Sequence, residues 1–222
     1  MIVWLASYPR SGNTFLRMLL HEAFGLKTYS LAGTREMATS GEEVGRLVGD
    51  MNVDWTDAVS ATIRSDTVPH FVKTHEEPIS TNDPCIYVVR DGRSAVVSYH
   101  HYLREVDGLD KSLDDVIDGR VYAGSWSEHY LNWLPRHRQN TLLLRYEAIT
   151  DDPNQAVEDV AAFLGMLPVR DFSIDFSYLH QLQPALFRVG DDAPNIAELG
   201  PSEPRFRERH GAVMRELGYY DP

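Results

Sequence analysis

Residues 7–14, Ser-Tyr-Pro-Arg-Ser-Gly-Asn-Thr, join an apolar run containing Ile2, Val3, Leu5 and Ala6 to a stretch in which Phe15, Leu16, Leu19 and Leu20 recur at helical spacing. A short strand that turns through a glycine-containing loop into a helix points main-chain N–H groups at an anion, so this junction predicts a phosphate cradle. Against the triphosphate pattern G-x-x-x-x-G-K-[ST], Ser7 stands at the first Gly, Gly12 at the second, Asn13 at the Lys and Thr14 at the final hydroxyl. The lysine is missing. Arg10, inside the loop, offers a rigid multi-donor cation instead, which favours a phosphate-bearing ligand other than Mg-ATP. A tight strand-to-helix turn with no ligand is the plainer alternative.

Two further segments carry chemistry after a strand. Residues 70–74, His-Phe-Val-Lys-Thr, run into His75, whose neutral imidazole can take a proton near neutrality, with Lys73 two residues before it. Cys85-Ile86-Tyr87-Val88-Val89 runs into Arg90, and Ser98 follows eight residues later on a stretch with helical prospects. Arg plus Ser at that spacing says little alone. After a strand, and in chain order behind the first loop, it becomes informative.

These groups need a frame. Strands are predicted at 2–7, 70–74, 85–90 and 141–146, and helices at 14–24, 42–50, 92–105, 111–118, 126–137, 153–165 and 204–217. The alternation predicts an α/β fold of three layers: a parallel sheet with helices on both faces, of P-loop nucleotide-binding type, with a crevice at the strands' carboxyl ends. The loop at 8–13, His75 and Arg90 all lie just past strand ends, so three distant segments can meet there. With no repeat and no long linker, residues 1–222 are expected to form one domain.

Composition excludes several classes. No stretch of the 222 residues reaches the apolar length of a membrane span, and no export signal is read at the first strand. The lone cysteine, Cys85, lies in a predicted strand, where a buried inert thiol is expected; together these point to the cytoplasm. A net charge of −12 argues against nucleic acid, although Arg10, Lys73, Arg90 and Arg93 could converge on an anion. Three lysines against eighteen arginines make Lys73 the more noticeable. No clustered carboxylate or histidine set suggests a metal.

Tyr8-Pro9-Arg10-Ser11-Gly12-Asn13-Thr14-Phe15 resembles the 5′-phosphosulfate loop, YPKSGTTW, of the sulfotransferases that use 3′-phosphoadenosine 5′-phosphosulfate (PAPS), with Arg10 for Lys, Asn13 for Thr and Phe15 for Trp. Arg90 and Ser98 resemble that family's R-x-x-x-x-x-x-x-S element for the 3′-phosphate, and Lys73-Thr74-His75 its K-T-H element. The resemblance implies a PAPS-binding site of Arg10, Ser11, Gly12, Asn13, Thr14, Phe15, Arg90 and Ser98. It implies catalysis by His75 as base, Lys73 on the transferring group and Arg10 on the leaving phosphate, with no metal. Arg145-Tyr146-Glu147 resembles a segment whose Tyr lies near the adenine, which would add Tyr146. Phe187-Arg188-Val189-Gly190 is what remains of the family's C-terminal nucleotide loop, contributing Arg188 and Gly190.

Gly124-Ser125-Trp126 through His129 to Trp133 is similar to a family segment G-S-W-x-x-H-x-x-x-W, but one helical stripe at i, i+3 and i+7 is more simply core packing. The expected reaction is sulfuryl transfer from PAPS to a hydroxyl or amine on a small-molecule or carrier-tethered acceptor; oligomeric state stays open. A P-loop kinase or nucleotide hydrolase would share the fold and loop position and remains an alternative. So does a catalytically degenerate nucleotide-binding domain that serves a partner.

Overall fold

The computed structural model describes residues 1–31, 36–51, 53, 55–78, 82–183 and 193–220. The chain runs β1 (Ile2–Ser7), α1 (Asn13–Phe24), β2 (Thr28–Ser30), α2 (Glu36–Leu47), α3 (Asp57–Ser65), β3 (His70–Thr74), β4 (Cys85–Val89) and α4 (Gly92–Glu105). It continues through α5 (Leu113–Ile117), α6 (Trp126–Trp133), β5 (Thr141–Arg145), α7 (Tyr146–Asp151), α8 (Pro153–Leu164), α9 (Phe176–Leu182), α10 (Ala193–Glu198) and α11 (Glu203–Glu216). Residues Arg188 and Gly190 lie outside the described residues.

Side-chain alternation within the central strands makes the layers. Ile2, Trp4 and Ala6 of β1 face one apolar cluster together with Cys85, Tyr87 and Val89 of β4, while Val3, Leu5, Ile86 and Val88 face a second. Both faces are covered, so these strands read as continuous apolar runs with no polar alternation. Phe15, Leu16, Leu19 and Leu20 of α1 with Val157 and Val160 of α8 close the second cluster. Val96 and Val97 of α4, Trp126 and Tyr130 of α6, and Phe206 and Met214 of α11 close the first. The five strands are all parallel in the order β2-β3-β1-β4-β5, which is the three-layer α/β architecture expected from the sequence.

Differences from expectation have local causes. The strands expected to end at 90 and 146 stop at Val89 and Arg145, because Arg90 leaves the ladder and Tyr146 opens α7 with no intervening loop. The helix expected over 126–137 ends at Trp133, where Leu134 turns left-handed at φ 43°. The helix expected over 42–50 begins earlier, at Glu36, and breaks its geometry at Gly41. The one expected over 111–118 starts at Leu113, behind a capping box in which Ser112 and Asp115 satisfy each other's backbone N–H groups. Strand β2 and helices α3, α7, α9 and α10 were not expected. Cys85 is buried, and burial pushes its thiol up to about 12, the inert state expected of it.

Gly12 caps α1 in the left-handed region at φ 103°, and a Cβ there would stand 2.5 Å from the Tyr146 ring. Both the backbone angle and the close approach require glycine. Gly12→Ala should therefore lower unfolding free energy by about 1–3 kcal/mol. Urea unfolding followed by circular dichroism measures this, and an unchanged midpoint would count against the close Gly12–Tyr146 packing.

Candidate functional site

Register brings the strand ends together. Ala6 pairs with Thr74 and Ser7 with Val88, so Tyr8, His75 and Arg90 leave the sheet along one edge. His75 Nδ1–H donates to the Ser7 carbonyl at 2.7 Å, with Ser7 Oγ 3.4 Å away. Arg90 Nη1 donates to the Arg10 carbonyl at 3.1 Å, and Arg10 Nε donates to Ser98 Oγ at 3.2 Å. The three segments expected to meet are thus joined by direct hydrogen bonds.

The loop before α1 has the shape of an anion seat. Gly12 supplies no side chain to cap the helix, and a helix start leaves its first N–H groups for an external acceptor. Ser11 Oγ is buried and has no hydrogen-bond partner among the described residues. Arg10 itself sits at φ 65°, unusual for a non-glycine residue, with its guanidinium 5.4 Å from the Tyr102 ring centre. Thr14 is half-buried at the helix start. Two predicted cradle residues turn their side chains elsewhere. Asn13 Nδ2 donates to the Leu5 carbonyl at 2.8 Å and to Ser7 Oγ at 3.2 Å, pinning α1 to β1. The Phe15 ring packs in the core against Phe172, centroids 5.3 Å apart.

Arg90 stacks on Tyr146, its guanidinium carbon 4.3 Å from the ring centre, and Tyr146 in turn lies against Gly12. The turn after Arg90 is anchored by Glu147, whose Oε1 accepts the Asp91 N–H at 2.8 Å and whose Oε2 accepts from Tyr219 at 2.9 Å. Arg93, expected to join the cation group, does not: Asp91 takes its guanidinium at 2.5 Å and the Tyr220 ring lies 5.0 Å away. Asp91 is the helix N-cap, so the nearest carboxylate wins the arginine.

A further cation emerges that the sequence reading missed. Arg17 is buried, with Nε donating to Thr28 Oγ1 at 2.8 Å and Nη2 to Asp50 Oδ1 at 2.6 Å. The available signal was a charge set among Leu16, Met18, Leu19 and Leu20 on an otherwise apolar helix. Burial pulls Arg17 below the ordinary arginine range and Asp50 partly restores it. Lys73 is fully buried; burial, with the charges of Arg17 and Arg10 adding, pushes it well below the usual lysine range. An anion arriving beside Lys73 would favour its charged form.

His75 is held neutral. Burial lowers it well below the ordinary histidine value, Lys73, Arg10 and Arg17 lower it further, and only the Ser7 carbonyl opposes them. A carbonyl can only accept, so the ring proton sits on Nδ1 and the lone pair on Nε2. That is the tautomer a proton acceptor needs.

A cleft of about 640 Å³ opens beside His75, bounded also by Glu76, Glu77, Tyr122, His129 and Trp133. Trp126 and Trp133 of the i, i+3, i+7 stripe are core residues, as the simpler reading expects, and Trp133 Nε1 donates to the Glu76 carbonyl at 2.9 Å. His129 packs with them yet also reaches the cleft, its Nδ1 2.8 Å from the Tyr87 hydroxyl. Among the described residues no cluster of three or more His, Cys, Asp or Glu is placed to hold a metal, and no helix is long and apolar enough to cross a membrane.

Comparison with known proteins gives a consistent result. The pattern of the family described as "Sulfotransferase domain" matches residues 2–178. Flavonol 3-sulfotransferase of Flaveria bidentis is 25% identical over 175 residues, 73% of this chain and 56% of the relative. Human Sulfotransferase 2B1 is 26% identical over 221 residues, 96% of this chain and 58% of the relative. The chain thus spans little more than half the length of these curated relatives. The crystal structure of mouse sulfotransferase SULT7A1 complexed with PAP superimposes with a TM-score of 0.65 at 20% identity, covering 99% of this chain and 89% of that one, which is a likeness of fold.

Three buried histidines contribute to the acid sensitivity of the fold. His129 is lowered to about 3 by burial and by His75, and His210 to about 4 by burial, its Nε2–H donating to the Ile117 carbonyl at 3.0 Å. His75 is lowered likewise. In each case the unfolded chain binds the proton more tightly, so the stabilisation is complete above the ordinary value of 6.5 and is lost as pH falls below it, toward about 4 for His210 and about 3 for His129. The urea midpoint should fall over that window, and His210→Gln should flatten the fall; an equal slope in the variant would remove His210 as a contributor.

Proposed function

The chain belongs to the sulfotransferase-domain family, and from that premise we propose that it transfers a sulfuryl group from PAPS to a hydroxyl or amine acceptor. The observation that carries this reading is the junction of Arg10, Arg90, Lys73 and His75 at one edge of the parallel sheet, with the His75 lone pair on Nε2. The residues present suit the donor. The uncapped start of α1 and the buried Ser11 hydroxyl would hold its 5′-phosphate, while Arg90, stiffened on Tyr146, would grip the 3′-phosphate. Ser98 would both steady Arg10 and hold the 3′-phosphate.

When bound, PAPS would supply a sulfuryl group activated by its phosphosulfate bridge. His75 Nε2 would take the acceptor's proton as its oxygen or nitrogen attacks. Lys73 would hold the sulfuryl oxygens, which would favour its charged form. Arg10 would neutralise charge growing on the departing phosphate, acting by charge and hydrogen bonds alone because a guanidinium keeps its protons. A Mg-ATP kinase is poorly served: Asn13 stands at the triphosphate lysine's place and its side chain is turned into β1.

Calorimetric titration with 3′-phosphoadenosine 5′-phosphate (PAP), with AMP and Mg-ATP as controls, tests the donor site. PAP should bind well more tightly than either control, and Arg90→Ala should cost about 1.5–3 kcal/mol of that affinity. Equal binding of AMP would refute the 3′-phosphate role, and preferred binding of Mg-ATP would favour a kinase. For the base, His75→Ala should lower turnover by about 100- to 10,000-fold while PAP affinity persists. Turnover at the wild-type rate in that variant would remove His75 from the mechanism.

A further inference from the structure

The cleft beside His75 is walled by acid. Glu76 and Glu77 directly follow His75 in the chain, and both line the cleft together with Glu128. Glu128 is already answered: Arg209 Nη2 lies at 2.5 Å and Ser125 Oγ–H at 2.8 Å. Glu76 and Glu77 are met by neutral donors only. Tyr122 O–H donates to Glu76 Oε1 at 2.6 Å, and Asn132 Nδ2 donates to Glu77 Oε1 at 2.9 Å. Among the described residues no cation pairs with either carboxylate. Two adjoining negative charges in one concavity repel an anionic acceptor and attract a cationic one.

An independent observation points to a ligand in the same place. His129 is 2% exposed and lines the cleft; its Nε2 makes no well-formed hydrogen bond among the described residues, the His75 main chain being its only nearby polar partner. The buried Tyr87 phenol keeps its hydrogen and finds its acceptor in His129 Nδ1 at 2.8 Å, so the ring proton lies on Nε2. A buried N–H donor at the wall of a cleft is suited to an oxygen of whatever fills it. The volume of about 640 Å³ admits a small molecule, and Tyr122 and Trp133 provide aromatic wall for its body.

We propose that this cleft takes a small hydroxyl acceptor bearing an ammonium group, with the cation seated between Glu76 and Glu77 and the hydroxyl oxygen presented to His75 and within reach of His129 Nε2. The assignment rests on the sulfotransferase reading. In the transfer, the bond from the acceptor oxygen to sulfur forms, the bond from sulfur to the bridging phosphate oxygen breaks, the hydroxyl proton passes to His75 Nε2, and PAP leaves with the electron pair of the broken bond.

The test uses three phenols matched in shape and differing in charge: tyramine, para-ethylphenol and para-hydroxyphenylpropionate. Transfer from PAPS is measured for each, and binding of each to the PAP-loaded protein is measured by calorimetry. The expected order is cation, then neutral, then anion, with kcat/KM for tyramine at least about tenfold above para-ethylphenol. In the near-isosteric double variant Glu76→Gln/Glu77→Gln that ratio should collapse toward one, with PAP affinity as the check on folding. Equal or better use of para-ethylphenol by the unaltered protein, or an undiminished ratio in the variant, overturns the proposal. If PAP binds and para-ethylphenol is the better acceptor, the cationic assignment falls and the donor site stands. If PAP does not bind and no phenol is sulfated, the sulfotransferase reading falls and the assignment with it.

Discussion

Parallel pairing of β1 with both β3 and β4 is the constraint on which the site depends, because it delivers three carboxyl-terminal strand ends to one edge in a set register. The Ser7 carbonyl is the pivot. It lies at the end of β1 and accepts the hydrogen bond from His75 Nδ1–H, while Asn13 ties the first turn of α1 to Leu5 and to the Ser7 hydroxyl. One short segment therefore fixes both the entry of α1 and the tautomer of the histidine. A shift of a single residue between β1 and β3 would turn every side chain in the ladder to the opposite face and remove that hydrogen bond together with the core.

The interior next to this pivot is unusually cationic. Lys73 and Arg17 are buried, and Arg10 is close enough to shift both Lys73 and His75. Taking such charges out of water costs several kcal/mol each, and a fold selected for stability alone would place apolar side chains there. Asp50 answers Arg17, and Thr28 completes its hydrogen bonding. The remaining positive charge, on Arg10 and Arg90, lies beside the loop before α1, on the far side of His75 from the acidic wall of the cleft formed by Glu76 and Glu77. Strain sits in the same region: Arg10 at φ 65° is held by Arg90, which is itself stacked on Tyr146.

What the sequence revealed was whatever is local and periodic. The strands at β1, β3, β4 and β5 and the helices that carry Ser98, His129 and Phe206 show themselves through apolar runs and helical stripes, and the site groups follow because they sit immediately past those runs. Short elements were invisible. Strand β2 has three residues, too few to display a period, and α7 begins on the residue after β5 with no turn chemistry between them. Side-chain direction was equally hidden: nothing in the spacing says that Asn13 points inward or that Phe15 meets Phe172, contacts made with residues as far away as 157 positions along the chain. Arg93 was assigned by its neighbourhood, and its pairing with Asp91 two residues earlier shows how a helix cap can claim a cation first.

The position of β1 at the middle of the sheet has a consequence for how the chain becomes a protein. The strand is made long before either neighbour: 63 positions separate Ser7 from His70, and β4 begins later still at Cys85. At a synthesis rate of about 5–20 residues per second, β1 waits roughly 3–13 seconds for its first partner, an apolar ribbon with both hydrogen-bonding edges open. During that interval α1 can cover the face of Val3 and Leu5, while Leu31 and Ile63, which pack with Ile2 and Trp4, are also made before β3. The Asn13 bonds to Leu5 and Ser7 span only six to eight positions, so this tie between strand and helix needs nothing that the chain makes later.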